Sequence, residues 1–515
     1  MFLFKTIDGW IDQITMYRLM LYYLGGLLLV SFFFSTVNIL HYRPIWIIIE
    51  AGVLLFSCWI INKIFAFVFS SPTNPESSLI TALILTLIIT PFQAPGDSGL
   101  WFAFLLAASG LAIGSKYLLT IHNKHIFNPA ALAVFFTALG AGQTAGWWVS
   151  SGVLLPFVLF GGMLIARKLR LFKMVSVFFA VSLFATTLLS FSSNGSLAAS
   201  LITSLSQSPL FFLGFVMLTE PQTLPPKLSS RAWYAAIVGA LLPPQVHFFG
   251  YYTSPELALL IGNIFSFIVS PKQKLFPVLQ QKVQLAPDIF EFVFHPEEKV
   301  RYSAGQYMEW TLPHQNTDTR GARRYFTLAS SPTEPELRLG LKFYHPSSSF
   351  KQALLESNQK TKISAGGLSG EFLLPKDKEK KLCFIAGGIG ITPFRSMMKY
   401  LLDVNQPRDI IVLYAAQNSD ALVYSEIFEQ ARTKLGIETA YFISNTDENP
   451  RNFRNPYFIS GLITPETIRR VVPDFLDRSF YLSGTHAMVL AMRKNLLMLG
   501  VPRRQIKEDF FPGYV

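Results

Sequence analysis

The strongest constraint on this chain is where its charges are missing. Residues 1–270 hold 12 Lys or Arg and 7 Asp or Glu, whereas residues 271–515 hold 32 and 25. A stretch so poor in charge and so rich in Leu, Ile, Phe and Val cannot cover itself with a polar surface. Its apolar side chains have to meet lipid, and a helix that spans the hydrocarbon needs about 20 mostly apolar residues. Ten runs approach that standard: 18–39, 44–68, 78–91, 100–120, 126–141, 146–166, 172–191, 200–219, 232–248 and 254–270. The third and fifth are short, which predicts tilted, broken or re-entrant helices. The opening segment carries Lys5, Asp8 and Asp12 ahead of a long apolar run without a small-residue cleavage pattern. It reads as a retained first span rather than a signal peptide.

Charge also gives an orientation. Arg167, Lys168, Arg170 and Lys173 crowd one connection, Lys227 and Arg231 another, and Lys272 and Lys274 follow the last run. The connections near 192–199 and 249–253 are uncharged. With alternating spans the rich loops share one side, cytoplasmic by the positive-inside rule, with Arg43 the main misfit. Both termini and the charged C-terminal half then face the cytoplasm at a bacterial inner membrane. Neither half has a basic run interleaved with aromatics, so the net charge of +12 implies no nucleic-acid partner. Two cysteines, Cys58 and Cys383, give no disulfide framework and fall short of the roughly four thiolates of an iron–sulfur cluster. No metal centre is predicted. A haem bundle needs paired histidines on facing spans, yet His122 and His125 share a loop and His41 and His247 lie near span ends. Glu50 is the one carboxylate well inside a predicted span, a candidate ion or proton site that could also snorkel to the nearby outer end.

An internal echo runs through the apolar half. Ser77-Ser78-Leu79-Ile80 opens a short segment that ends at Thr90-Pro91, and Ser208-Pro209-Leu210 opens another that ends at Thr219-Glu220-Pro221. Asn128-Pro129-Ala130-Ala131 follows the first and Ser254-Pro255-Glu256-Leu257 the second. Paired short, Pro-interrupted segments predict two repeats with a site between them. Ile126-Phe127-Asn128-Pro129-Ala130-Ala131 and Met217-Leu218-Thr219-Glu220-Pro221 resemble motifs of the flavin-carrying membrane protein of the Rnf electron-transport complex. They are equally similar to its counterpart in the sodium-translocating NADH:quinone reductase. The resemblance spans most of residues 20–270 and implies a flavin, FMN or riboflavin, within the bundle. Relatives commonly attach FMN to a Thr in a Ser-Gly-Ala-Thr-like loop. Here Ser192-Ser193-Asn194-Gly195-Ser196-Leu197-Ala198-Ala199 has no such motif, so a non-covalent flavin is the expectation.

The C-terminal half changes character. From Lys274 to about Pro375, period-two runs such as Ile289–Phe294 and Leu337–Phe343 predict a small antiparallel barrel. From Lys381, strands at Leu382–Ala386, Ile410–Tyr414 and Ala440–Ser444 alternate with helices, which predicts a parallel, doubly wound α/β domain. Ala386-Gly387-Gly388-Ile389-Gly390-Ile391-Thr392-Pro393 joins an apolar strand to a helix. Glycines there let a pyrophosphate approach the backbone, and the helix N-terminus offers free N–H groups. Arg324-Tyr325-Phe326-Thr327, Gly366-Gly367-Leu368-Ser369-Gly370-Glu371-Phe372, Tyr481-Leu482-Ser483-Gly484-Thr485 and Glu508-Asp509-Phe510-Phe511 follow in an order that resembles the ferredoxin–NADP reductase superfamily. Gly305-Gln306-Tyr307 is similar to that family's preceding strand. The resemblance implies that Arg324 neutralises flavin phosphate, Phe326 (in place of Tyr) stacks on the isoalloxazine beside Tyr325, and Thr327 bonds near N5. Gly367, Ser369 and Gly370 would cradle the phosphates. Gly387, Gly388, Gly390, Thr392, Pro393 and Gly484 would receive the nicotinamide dinucleotide, and Phe510 would close the site. Thr327, Ser483 (where relatives carry Cys) and Glu508 are the candidate catalytic residues.

The expected architecture is multidomain. An all-α transmembrane bundle of about ten spans in two repeats covers 1–270. An antiparallel β-barrel for FAD covers 271–378, and a Rossmann-like α/β domain for NAD(P) covers 379–515. Uncharged Gln417 and Asn418 at the expected ribose site favour NADH over NADPH, with Arg432 or Arg451 able to reach in. The function expected is an NAD(P)H:acceptor oxidoreductase passing electrons from FAD to a bundle flavin, a quinone, or a partner flavoprotein or Rnf-like protein, with lipid around the bundle. The rival from another class is a redox-driven or redox-sensing Na+ or H+ transporter.

Overall fold

A computed structural model describes the chain except residues 1–10, 12–13, 70–74, 94–96, 122–123, 193–195, 207, 249, 271–273, 319–320, 345, 445–457 and 510–515. It separates into two compact units, one built mainly from Met1–Lys274 and one from Leu275–Asp318 and Arg323–Phe511.

The first unit is helical. Its helices are α1 (Met16–Thr36), α2 (Pro44–Val68), α3 (Pro75–Ile88), α4 (Ser98–Leu118), α5 (Pro129–Ala141), α6 (Leu155–Lys168), α7 (Phe172–Ser192), α8 (Leu197–Ser206), α9 (Leu210–Phe212), α10 (Leu228–Leu241) and α11 (Pro255–Val269). A π-helical turn over Leu213–Met217 continues α9. Among the described residues four helices, α1, α2, α4 and α7, are long and apolar enough to cross a membrane. Leu197–Ser206 with Leu210–Met217, bent by 52°, makes a fifth if taken as one span. The expected ten therefore include several that are too short as single helices. A 14-residue helix such as α3 rises about 21 Å, against a hydrocarbon core of about 30 Å. Two expected runs are cut short. Trp147 takes a left-handed conformation (φ 49°) and a 3-10 turn follows over Trp148–Ser150, so α6 begins only at Leu155. Pro243 and Pro244, which have no N–H to donate, follow the end of α10 at Leu241.

The echoed motifs sit at matching helix starts. Asn128 accepts from the Ala131 N–H at 3.0 Å ahead of Pro129 in α5, and Ser254 accepts from the Leu257 N–H at 3.2 Å ahead of Pro255 in α11. Buried polar side chains join these ends to the rest of the unit. Asn128 Nδ2 donates to Glu220 at 2.9 Å, Trp147 Nε1 donates to Glu256 at 2.7 Å, and the Asn128 N–H donates to Asn263 at 2.8 Å. Each bond satisfies a group that would be costly to leave unpaired in an apolar surround. Glu50 in α2 is fully buried, and neither carboxylate oxygen has a hydrogen-bond partner among the described residues.

In the second unit the strands are β1 (Val278–Ala286), β2 (Ile289–His295), β3 (Tyr307–Thr311), β4 (Arg323–Thr327), β5 (Leu337–Lys342) and β6 (Ser364–Ser369). They form two three-stranded antiparallel sheets, ordered β1-β2-β5 and β6-β3-β4, where one barrel was expected. Single links join them: Leu275 bridges Ala365, and the Ala329 N–H donates to the Arg338 carbonyl at 2.8 Å. Pro277 lies between Leu275 and β1 and cannot donate to a continued ladder. Phe292, Phe294, Met308, Trp310, Leu339 and Phe350 form the core of these sheets. Helix α12 (Ser349–Glu356) supplies Phe350.

The remaining strands, β7 (Leu382–Gly387), β8 (Ile410–Ala416), β9 (Glu438–Ile443), β10 (Phe458–Ser460), β11 (Ser479–Ser483) and β12 (Ile506–Glu508), form one parallel sheet ordered β10-β9-β8-β7-β11-β12. Near-continuous apolar runs suit strands covered on both faces. Phe384 packs on one face with Phe394 and Tyr414, and Cys383 and Ile385 on the other with Phe480 and Leu496. The helices are α13 (Thr392–Asp403), α14 (Ser425–Leu435), α15 (Pro465–Val471) and α16 (His486–Met498). Chain order reverses between β7 and β11, so the crevice beyond their carboxyl ends is where such a sheet takes a ligand.

Candidate functional site

The crevice is formed by two turns in backbone contact. Strand β7 ends at Gly387, a 3-10 turn covers Gly388–Ile391, and α13 starts at Thr392 with Pro393 in its first turn. A Cβ on Gly390 would lie 2.6 Å from the backbone of Gly484, so only glycine lets the turns after β7 and β11 meet. Gly388 is different: it takes φ 52°, and a Cβ there would meet nothing within 4 Å. That open, left-handed position beside the N–H groups of a helix start is where an anionic dinucleotide can reach the backbone. Thr392 is buried and its hydroxyl donates to the Ile389 carbonyl at 3.2 Å.

Ser483, buried at the end of β11, donates to Asp509 at 3.0 Å. Glu508 does not come to that point: it pairs with Arg493 at 3.0 Å. Neighbours in a strand face opposite ways, so one residue separates a surface ion pair from a contact with Ser483. Asp509, the next residue, is the carboxylate that meets Ser483, and its own sequence position did not mark it out. Phe510 lies outside the described residues.

The flavin motif splits between two faces of β4. The register pairs Trp310 with Arg324, Glu309 with Tyr325, Met308 with Phe326 and Tyr307 with Thr327. Arg324 and Phe326 therefore share the face of Met308 and Trp310, and the Phe326 ring lies 5.7 Å from Phe350. Tyr325 and Thr327 share the other face, where the Tyr325 and Tyr307 rings meet edge to face at 5.7 Å. Gly370, at φ 119°, leaves room for Tyr307, whose ring would lie 3.2 Å from a Cβ. Gly367 (φ 59°) is exposed, and Ser369 pairs with Tyr307.

Arg324 is buried, with its guanidinium 5.4 Å from the Phe350 ring centre and 3.1 Å from Asp318 Oδ1. The other Asp318 oxygen accepts from the Ser349 N–H at 3.1 Å, at the first turn of α12. The Asp318 N–H donates to Ser349 Oγ at 2.9 Å, and His314 Nε2 lies 2.9 Å from the same hydroxyl. A carboxylate thus stands between an arginine and a helix N-terminus, the surroundings a cofactor phosphate would need. The donor set fits that anion. Asp318 gave no signal in the sequence, because it lies outside every motif.

Gln417 and Asn418, the residues expected at the ribose, follow the end of β8. The Asn418 side chain accepts from the Ala421 N–H at 3.2 Å, and Arg432 pairs with Glu429 on α14. Arg451 lies outside the described residues.

Residues 384–494 match the family model described as the oxidoreductase NAD-binding domain. A flavohemoprotein of Bacillus subtilis is 26% identical over 237 residues, 45% of this chain and 58% of that protein. The reductase component of a stachydrine N-demethylase from Rhizobium meliloti is 23% identical over 236 residues, 44% of this chain and 65% of that protein. The chain therefore spans less than two thirds of the length of these curated relatives. A solved FAD/NAD-binding domain of a nitric oxide dioxygenase from Vibrio cholerae aligns with TM-score 0.40 at 20% identity, over 46% of this chain and 98% of that one. The C-terminal part of the chain is an FAD- and NAD-binding module of the ferredoxin reductase type.

Proposed function

We propose that the chain is a membrane-bound NAD(P)H:acceptor oxidoreductase, in which the C-terminal module takes reducing equivalents from the dinucleotide and the N-terminal unit hands electrons on. The observation that carries this reading is the junction of the Gly388–Thr392 turn with Ser483 and Gly484 at the switch point of the parallel sheet. FAD supplies the electron-accepting chemistry when bound. Arg324 and the α12 N-terminus would hold its phosphates, with Gly367, Ser369 and Gly370 alongside. Thr327 offers a hydroxyl near the reacting edge, with Tyr325 on the same face of β4. The chain's own contribution is alignment: the helix start at Thr392 orients the dinucleotide, and Asp509 holds the Ser483 hydroxyl in place. Gln417 and Asn418 carry no charge for a 2′-phosphate, which favours NADH.

For the N-terminal unit, the Asn128 and Thr219-Glu220-Pro221 motifs support an Rnf-type electron-transfer bundle, by resemblance. A bundle flavin, a quinone or a partner protein would be the acceptor, at a bacterial inner membrane with the reductase cytoplasmic. Flavin extraction from the pure protein tests this. Two flavins per chain are expected. One flavin with no quinone reduction in proteoliposomes would reduce the bundle to an anchor, and absence of NADH-dependent flavin reduction would defeat the reading entirely. A second reading, ion transport coupled to the redox step, is favoured by one observation, the buried and unpartnered Glu50 carboxylate. Sodium or proton dependence of NADH oxidation in proteoliposomes would separate the two.

A further inference from the structure

Helix α13 begins at the turn proposed to receive the dinucleotide, and one turn in it carries a buried arginine. Arg395 is 5% exposed and enters a polar cluster between α13 and the segment that follows β4. Its Nη1 donates to the Ala329 carbonyl at 3.0 Å, and its two terminal nitrogens fork onto the Glu334 carboxylate, one of them at 3.0 Å. The next residue repeats the tie: Ser396 Oγ donates to the Ser330 carbonyl at 2.6 Å. Ala329 and Ser330 are two and three residues beyond Thr327. Glu334 is itself fixed, accepting from the Ser331 N–H at 2.6 Å and lying 3.4 Å from Arg338, which pairs with Glu291 at 2.7 Å. The Tyr424 ring lies 5.6 Å from the Arg395 guanidinium. On the other side of this cluster there is no slack: a Cβ on Gly340 in β5 would come within 2.6 Å of the Tyr424 hydroxyl and 2.8 Å of Thr392 Cγ2.

A buried ion pair is poor evidence of stabilisation, because an apolar pair of similar volume often serves as well or better. What a forked pair adds is a fixed distance and angle. Here the two ends belong to the two halves of the proposed reaction site: α13 carries Thr392, and the 328–334 segment continues the strand that carries Thr327. We propose that Arg395 is a positioning residue, whose forked pair with Glu334 sets the separation of the dinucleotide turn from the flavin strand. It touches neither cofactor. This inference rests on the oxidoreductase reading above and on NADH giving up a hydride, two electrons and one proton, to the bound flavin, which takes a second proton from water.

The test uses the full-length protein in detergent. Arg395→Gln and Glu334→Gln are expected to keep bound FAD and the NADH KM within about twofold. They are expected to slow single-turnover flavin reduction on the order of 100-fold, the cost of a misplacement of about 1 Å. The deuterium isotope effect with 4-deuterated NADH should rise as the hydride step becomes limiting, and Arg395→Lys should recover part of the rate. The Arg395→Leu/Glu334→Leu pair guards against simple misfolding: it should keep the melting temperature and still be slow. Loss of FAD or of melting temperature with the rate per bound flavin intact would overturn the proposal in favour of a structural role. A raised KM at an unchanged rate would overturn it in favour of substrate binding. If the unaltered protein fails to reduce its flavin with NADH, the oxidoreductase reading fails instead.

Discussion

Single side chains set the electrostatics of this site, and several do so from outside the recognisable motifs. Arg324 announces itself through the Arg-Tyr-Phe-Thr run, but its observed partner Asp318 does not, since a loop aspartate has no periodicity to mark it. A carboxylate in the place proposed for a phosphate has a consequence. Apoprotein carrying Asp318→Asn should bind FAD about tenfold more tightly, on the order of 1.4 kcal/mol, with riboflavin affinity unchanged. Fluorescence titration measures both, and equal FAD affinities would mean that Asp318 only caps α12. Asp474 acts elsewhere, at the other end of the sheet, where it pairs with Lys381 and Arg478 just ahead of β7 and β11. The Arg478 guanidinium, against the opposing effect of burial and with help from Lys381, holds its carboxyl down at about 2. The folded state thus binds this proton less readily than the unfolded chain, where the group titrates near 3.8. Its stabilising contribution is complete above about pH 4 and is lost as pH falls towards 2. Acid unfolding of Asp474→Asn, followed by circular dichroism, should therefore show a shallower loss of stability across that window.

Elements were legible wherever one period ran long enough. The apolar strand at Leu382–Gly387, the glycine turn and the helix from Thr392 were readable because a buried strand, a tight turn and a helix start each need their own residue types. Strand phase was less accessible. Nothing in the order Glu508-Asp509 tells which carboxylate meets Ser483, and nothing in Arg324-Tyr325-Phe326-Thr327 tells which of its two faces lies on Met308 and Trp310, until pairing with β3 fixes the register. The glycines of the turn also divide in a way that their spacing conceals. Gly388 is open, whereas Gly390 is pressed on Gly484. Gly390→Ala should part the ends of β7 and β11 and destabilise the protein by about 1–3 kcal/mol. Its NADH KM should rise while bound FAD persists, as steady-state kinetics and flavin content would report. An unchanged KM would show that the two turns tolerate separation.

For the whole molecule, the question is whether the N-terminal unit carries electrons or ions in the proposed reaction. Glu50 is the residue that most clearly separates an electron-transfer bundle from an ion-coupled one. If ions are coupled, Glu50→Gln should leave flavin reduction by NADH unchanged and remove the sodium or pH dependence of electron delivery in proteoliposomes. A dependence that survives the substitution would rule Glu50 out as the coupling group. The sequence alone determined that the chain has an apolar half and a charged half, and that the second is a nucleotide-binding module. The first follows from composition, and the second from the glycine turn between strand and helix and from the order of the motifs around it. It did not determine how many helices are long enough to span. Trp147 turns left-handed where its N–H meets the Ile88 carbonyl and its Nε1 meets Glu256, both on other segments. Nor did it reveal Arg395 with Glu334, Ser483 with Asp509 or Arg324 with Asp318. These pairs are separated by 61, 26 and 6 residues and meet only when strands and helices are packed, because a hydrogen bond depends on distance in space and not on position in the sequence.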